Sequence, residues 1–416
     1  MLEELFLSRR WIERFREPPL GPFVDAFADD LARLGYVRLG IRKAVSAVNR
    51  FGRWLRKRHL GIEDVSEESI AQFRGRRWSS SCRNGEALLD RLLQRLRQNG
   101  LSPQPIPKKP TPLEELELEF SAYLERERGL APATIRNNTA VARRLMLKRF
   151  GSDPMDLSAL SIRDIQAFVS SDGCGTSPPS TRRTLPPLRG FLNFLYVTGR
   201  IETPLADHVP RPPRARYDPP PKWLSADDVN RVLQRCDRQS PIGKRDFAIL
   251  MLLARLGLRA GEIISLRLDD IRWETGELSV CGKAKQRKRF PLTEDVGEAL
   301  VAYLKHGRPP FDSRRVFLRA RAPWGGLTRS SAVYVIVSGA LARAGLSPPC
   351  RGPHLFRHSL ATAMMHRGAT LTEIGQILHH QSPSTTAIYA KVDITGLRSL
   401  AMPWPGEEHE IVATRT

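Results

Sequence analysis

Two proline clusters constrain this chain more than any other feature. Residues 103–112 (PQPIPKKPTP) hold five prolines, and residues 210–221 (PRPPRARYDPPP) hold six. Proline locks its own φ and drives the preceding residue out of the helical region, so both stretches predict extended connectors. The chain has 416 residues, more than one core sustains, since domains cluster near ~100–150 residues. The clusters therefore predict three domains, at 1–105, 112–210 and 222–416.

The first two segments resemble each other. Phe27–Leu31 (FADDL) parallels Phe120–Leu124 (FSAYL), Gly40–Arg42 parallels Thr134–Arg136, and Ser69–Phe73 parallels Asp164–Phe168, at offsets of 93 to 95 residues. Apolar residues three and four apart in both copies predict amphipathic helices, hence two related helical domains in tandem. The third segment opens on a helix N-cap signature at Ser225–Asp228 and continues with a buried helix near 245–257. A hairpin around Gly282–Gln286 follows, flanked by Leu278–Val280 and Arg289–Leu292. Helices resume near Glu294, Ser330 and Pro353, and Thr370–Glu373 is a capping box that starts another. The expected fold is mainly α and multidomain: two small helical DNA-binding domains, then a mostly α catalytic domain with a small antiparallel sheet.

Charge narrows the partner. Lys and Arg number 66 against 44 Asp and Glu, a net charge of +22. A surplus of that size suits a polyanion, most often nucleic acid. By segment the balance is +9 for residues 1–110, +2 for 111–220 and +11 for the remainder; residues 31–60 carry nine cations and no acid. The second connector adds Arg211, Arg214, Arg216 and Lys222, a stiff basic strap that fits a phosphate backbone or a solvated linker equally well. The longest apolar run, Phe247–Ala254, is far short of the ~20 residues that span a bilayer. The first residues (MLEELFLSRRWIERF) are broken by Glu and Arg before a signal-peptide core could form. A cytoplasmic, nucleoid-associated protein without a membrane partner is expected. Five scattered cysteines (Cys82, Cys174, Cys236, Cys281, Cys350) read as reduced, buried thiols.

Four patches of the third segment share one chemical character. Residues 256–262 (LGLRAGE) place Arg259 and Glu262 three apart at a helix start, where Glu262 can orient the guanidinium. Residues 281–289 (CGKAKQRKR) crowd five cations onto a hairpin. Residues 354–358 (HLFRH) put His354 and Arg357 on one helical face. His379–His380 precede Tyr389 by nine residues in its second member. Each patch alone has an ordinary explanation: a helix ion pair, a solvated loop, a core tyrosine.

Together, in this order and spacing over about 170 residues, they resemble the tyrosine recombinase (phage integrase) family. The resemblance extends to residues 112–210, which look like that family's core-binding domain, while residues 1–105 are additional. One position departs: His379 stands where the family usually has glycine. The resemblance implies a site-specific DNA recombinase, integrase or transposase-like enzyme of a mobile element, cutting and rejoining DNA through a 3′-phosphotyrosyl link. It implies catalytic roles for Arg259, Lys283, His354, Arg357, His380 and Tyr389, with Glu262 and His358 in support. DNA-contacting cations would be Arg211, Arg214, Arg216, Lys285, Arg287 and Lys288. It further implies action as a homo-oligomer on DNA, a tetramer, with companion or accessory proteins possible, and with apolar tail residues within 397–404 for exchange between neighbours.

The residue chemistry agrees with those roles. Planar guanidinium groups pair bidentately with the non-bridging oxygens of a phosphodiester, and His380 can add a hydrogen bond. A phenol of pKa ~10 needs a proton acceptor to attack at neutral pH; His354 is the candidate, with His358 positioning its neighbours. The leaving 5′-oxygen needs a proton, which a hairpin lysine could deliver; the resemblance places this on Lys283, with Lys285 as a close rival. Since a covalent intermediate conserves the bond energy, no cofactor, ATP or metal is expected. Two rival readings stand beside this one. His354, His358 and the His379–His380 pair could hold a metal, although the zincin pattern needs Glu at position 355, which is Leu. A DNA-binding architectural protein that no longer cuts would share the charge and the tandem helical domains.

Overall fold

A computed structural model describes residues 1–75, 83–105, 109–151, 154–170, 178–211, 220–282, 287–380 and 382–392. The chain forms two compact units, one comprising Met1–Pro105 with Pro219–Thr416, the other Ile106–Asp218. Three large hydrophobic cores lie within them, built from residues 2–96, 116–209 and 224–356.

The first core gathers six helices: α1 (Leu2–Leu5), α2 (Arg9–Phe15), α3 (Gly21–Arg33), α4 (Arg38–Arg56), α5 (Glu67–Arg74) and α6 (Arg83–Gln98). Helix α4 shows why. Ile41, Ala44, Val45, Val48, Phe51 and Leu55 recur every three or four residues and are all buried, while Arg42, Lys43, Arg50, Arg53 and Lys57 face outward. The second core packs α7 (Pro112–Arg126), α8 (Pro132–Phe150), α9 (Ile162–Ser170) and α10 (Pro178–Val197). A capping box starts α7: Thr111 accepts from the Glu114 backbone, and Glu114 accepts from the Thr111 amide, with Pro112 in the first turn. Helices α3 to α6 and α7 to α10 follow the same order, their starts 91 to 95 residues apart. The α3–α4 and α7–α8 turns each pass through a left-handed glycine, Gly35 and Gly129.

The third core holds α11 (Ala226–Gln234), α12 (Pro241–Leu256), α13 (Ala260–Ser265), strands β1 (Ile271–Arg272), β2 (Glu277–Cys281) and β3 (Arg287–Pro291), then α14 (Glu294–His306) and α15 (Ser330–Arg343). The sheet is antiparallel in the order β1-β2-β3, pairing Leu278 with Phe290 and Val280 with Lys288. Alternation along β3 turns Phe290 into the core and Arg287, Arg289 and Pro291 outward. Three further helices, α16 (His354–His366), α17 (Leu371–Ile377) and α18 (Pro383–Thr386), end in a 3₁₀ turn at Ala387–Val392. A small separate cluster of Ala361, Ile374, Leu378 and Tyr389 sits among them.

No helix among the described residues is long and apolar enough to cross a membrane. The cysteines depart from expectation. Cys236 is buried, but Cys281 and Cys350 are exposed, because Cys281 ends β2 on its outward phase and Cys350 lies in the loop before α16. Cys82 and Cys174 lie outside the described residues.

Candidate active site

Four chain segments converge on one group of side chains. Gly257 ends α12 in the left-handed conformation, φ 59°, and the next helix, α13, begins at once with Arg259 as its N-cap. The Glu262 carboxylate accepts the Arg259 backbone N–H at 2.8 Å and its guanidinium Nη1 at 3.1 Å. Glu262 is 5% exposed, whereas 31% of the Arg259 side chain faces solvent. The buried carboxylate thus fixes the direction of a guanidinium that stays open on its outer edge.

Arg357 lies on the first turn of α16 and is buried. Its Nη1 donates to the Gly257 carbonyl at 2.5 Å and its Nη2 to the Leu378 carbonyl at 2.6 Å. One side chain therefore ties the end of α12 to the end of α17. Burial, reinforced by Arg259, pushes its pKa down to about 10. A buried charge is costly unless an opposite charge meets it. Here the hydrogen bonds of Arg357 go to neutral carbonyls, so an arriving anion would gain strongly.

Three histidines and the tyrosine complete the group. Tyr389, carried by the 3₁₀ turn, is 1% exposed, and its hydroxyl lies 3.0 Å from His358 Nδ1. The His380 ring lies nearly parallel to the Tyr389 ring, with centroids 6.3 Å apart, and its Nδ1 meets Thr386 Oγ1 at 2.7 Å. Burial first, then neighbouring His354 and Arg357, lowers His358 to about 4. Burial, then Arg357, Arg259, Lys288 and His358, lowers His380 to about 4. His354 is lowered by burial, Arg357 and Arg259. Burial raises the Tyr389 phenol, and the two arginines partly oppose it. At neutral pH the site therefore holds neutral imidazoles beside a protonated phenol, under a field of fixed positive charge.

The structure brings together Arg259, Glu262, His354, Arg357, His358, His380 and Tyr389 from the sequence expectations. It differs in two places. The imidazole on the Tyr389 hydroxyl is that of His358, expected only in support, and not that of His354. His354 is the first residue of α16, one turn earlier, with its ring 6.3 Å from that of His358. Lys288, expected among outward DNA-contacting cations, turns inward and donates Nζ to the His379 carbonyl at 2.8 Å; burial first, then Arg259, lowers its pKa. The spacing of two histidines four apart signalled a shared face, but not which one reaches Tyr389. Arg211 and Arg287 are exposed. Lys283, Lys285, Arg214, Arg216 and the tail residues 397–404 lie outside the described residues. Among the described residues, no three His, Cys, Asp or Glu side chains gather as a metal site.

Comparison with known proteins adds a family relationship. The phage integrase family matches residues 222–395. The integrase/recombinase y4rA of Sinorhizobium fredii (strain NBRC 101917 / NGR234) is 38% identical over 395 residues, 94% of this chain and 96% of that relative. Tyrosine recombinase XerD of Listeria monocytogenes (strain ATCC BAA-679 / EGD-e) is 31% identical over 281 residues, 66% of this chain and 93% of the relative. Among solved structures, XerH site-specific recombinase bound to palindromic difH substrate, in a post-cleavage complex, superposes with a TM-score of 0.54 at 17% identity. That match covers 73% of this chain and 99% of the other, and the shared fold is a helical one with a small sheet. Identity at the level of y4rA across nearly the whole of both sequences decides the relationship, and the chain belongs to the phage integrase family, the tyrosine recombinases.

Proposed function

We propose that this protein is a site-specific DNA recombinase that cuts and rejoins strands through Tyr389. The observation that carries the proposal is the buried Arg357 guanidinium, held by two carbonyls beside Arg259 and close to a tyrosine hydroxyl on an imidazole. A phosphodiester entering there supplies the negative charge that Arg357 lacks, and it meets the open outer edge of Arg259, whose inner edge is held by Glu262. Its arrival also raises the histidine pKa values, since an anion favours their protonated forms. The phenolic oxygen attacks phosphorus, the P–O5′ bond breaks, and a 3′-phosphotyrosyl ester and a 5′-hydroxyl result. The phenol proton passes to His358, its neighbour here, with His354 next on the same helical face. His380 hydrogen-bonds a non-bridging oxygen, and a hairpin lysine, Lys283 or Lys285, protonates the departing oxygen. The 5′-hydroxyl of a partner strand then reverses the step.

The cations of the first domain and of the 210–222 strap serve DNA binding in this reading. The working assembly is a homo-oligomer on DNA. The test begins with duplexes that the protein selects from a random-sequence pool, nicked so that the intermediate is trapped. Wild type should give a detergent-stable protein–DNA adduct mapping to Tyr389. Tyr389→Phe keeps the ring and nearly the volume, so it should bind the same duplex and form none. His358→Ala should slow adduct formation by about 10² or more, the range of a lost general base, and more than His354→Ala. An adduct on another residue, or recombination persisting in Tyr389→Phe, would overturn the assignment.

A further inference from the structure

Helix α17 ends in a Schellman arrangement: the His379 amide donates to the Gln376 carbonyl at 3.0 Å and the His380 amide to the Gly375 carbonyl at 2.8 Å. That motif requires a left-handed residue just past the helix, and glycine usually fills it. His379 fills it here, at φ 49°. A side chain in this conformation is disfavoured and persists when its surroundings hold it there.

Those surroundings are three consecutive residues of β3. Lys288 Nζ donates to the His379 carbonyl at 2.8 Å. His379 Nε2 lies 3.2 Å from the Arg289 carbonyl, and a carbonyl only accepts, so that nitrogen carries the proton. The imidazole meets the Phe290 ring edge-on, with centroids 4.7 Å apart at 78°. Phe290 belongs to the main core, whereas Leu378 and Tyr389 belong to the small separate cluster. His379 thus bridges the body that holds the arginines and the lesser one that holds the tyrosine. Glycine would make the same turn without strain, but it would have no ring to reach β3.

We infer that His379 is a positioning residue, which registers β3 and Lys288 against the turn carrying His380 and, through it, against Tyr389. This rests on the recombinase reading. The contacts to β3 hold the strained turn in place, and they join two packed clusters that must stay aligned while phosphate is bound.

His379→Gly removes the ring and relaxes the turn, so a purely structural imidazole and a positioning one predict different results. On the selected, nicked duplex, His379→Gly should bind DNA with unchanged affinity and melt at or above the wild-type temperature. It should nevertheless form the Tyr389 adduct at least tenfold more slowly. His379→Asn, which tolerates the left-handed turn but has neither ring nor reach, should behave alike. In a Lys288→Ala background the same glycine substitution should cost less than threefold, because both residues act through one register. Wild-type adduct rates in His379→Gly would overturn the inference and leave the recombinase reading intact. A tenfold loss persisting in the Lys288→Ala background would also overturn it. So would a His379→Gly protein that loses DNA binding and stability together, since the imidazole would then merely support the fold. A wild-type protein that forms no adduct would bring down the recombinase reading, and this inference with it.

Discussion

At the scale of single residues, burial of ionisable groups dominates the site. His358 and His380 both sit near 4 in the folded protein, against an ordinary value of 6.5. The native state therefore refuses protons that the unfolded chain takes up. Their contribution to stability is complete above pH 6.5 and declines as pH falls towards about 4. The melting temperature of the DNA-free protein should drop across that window. In a His358→Gln/His380→Gln variant the slope should flatten, and an equal slope would assign the loss to carboxylates instead. The identities of these residues were legible in the sequence, because LGLRAGE, HLFRH and the nine-residue spacing to Tyr389 are local patterns. Their partners were not. His354 and His358 share a helical face, and only the packing of the 3₁₀ turn against α16 chose between them.

At the scale of elements, periodicity was an effective guide wherever one face of a helix is buried. The expected helix near 245–257, the hairpin strands and the starts near 294, 330 and 353 all have counterparts, because capping residues and apolar spacing act within a few residues. Lys288 shows the limit: composition alone does not say that the pleat turns it inward while Arg287 and Arg289 face outward. Helix α4 offers a test of the first segment. Lys43, Arg53 and Lys57 lie along one exposed stripe of the helix or its C-cap, opposite its buried face. If each meets a phosphate, converting all three to Ala should weaken binding across sequences. It should also reduce the slope of log K against log salt by about 2–3, near 0.9 per contact. An unchanged slope would assign this face to protein contacts.

At the scale of the whole molecule, the first segment shares a compact unit with the catalytic one. The Trp324 amide donates to the Leu34 carbonyl at 2.8 Å, and the Trp324 indole covers Gly35 so closely that a Cβ there would lie 2.1 Å from it. Gly129, in the corresponding turn of the second segment, has nothing within 4 Å of such a Cβ. Both glycines are left-handed, so a side chain strains either turn, but only at Gly35 does it also strike the indole. Gly35→Val should therefore separate the thermal unfolding of the first segment from that of the catalytic segment, giving two calorimetric transitions. Gly129→Val is the control for backbone strain alone, and it should lower stability without splitting that transition. A single transition in Gly35→Val would mean that Trp324 does not couple the two segments.

The prolines, the helical periodicities and the internal offset of 93 to 95 residues decided by themselves that this is a helical chain of several cores. The four patches pointed to the chemistry proposed for its third segment. These are properties of neighbours along the chain, where sterics, capping and hydrophobic spacing operate. The tertiary structure alone decided that Arg357 would be buried between two carbonyls, that His358 would reach the tyrosine, and that a histidine would occupy a glycine's turn to hold β3. Those outcomes depend on surfaces brought together from positions up to 100 residues apart, where packing and desolvation, and no local preference, select the partner.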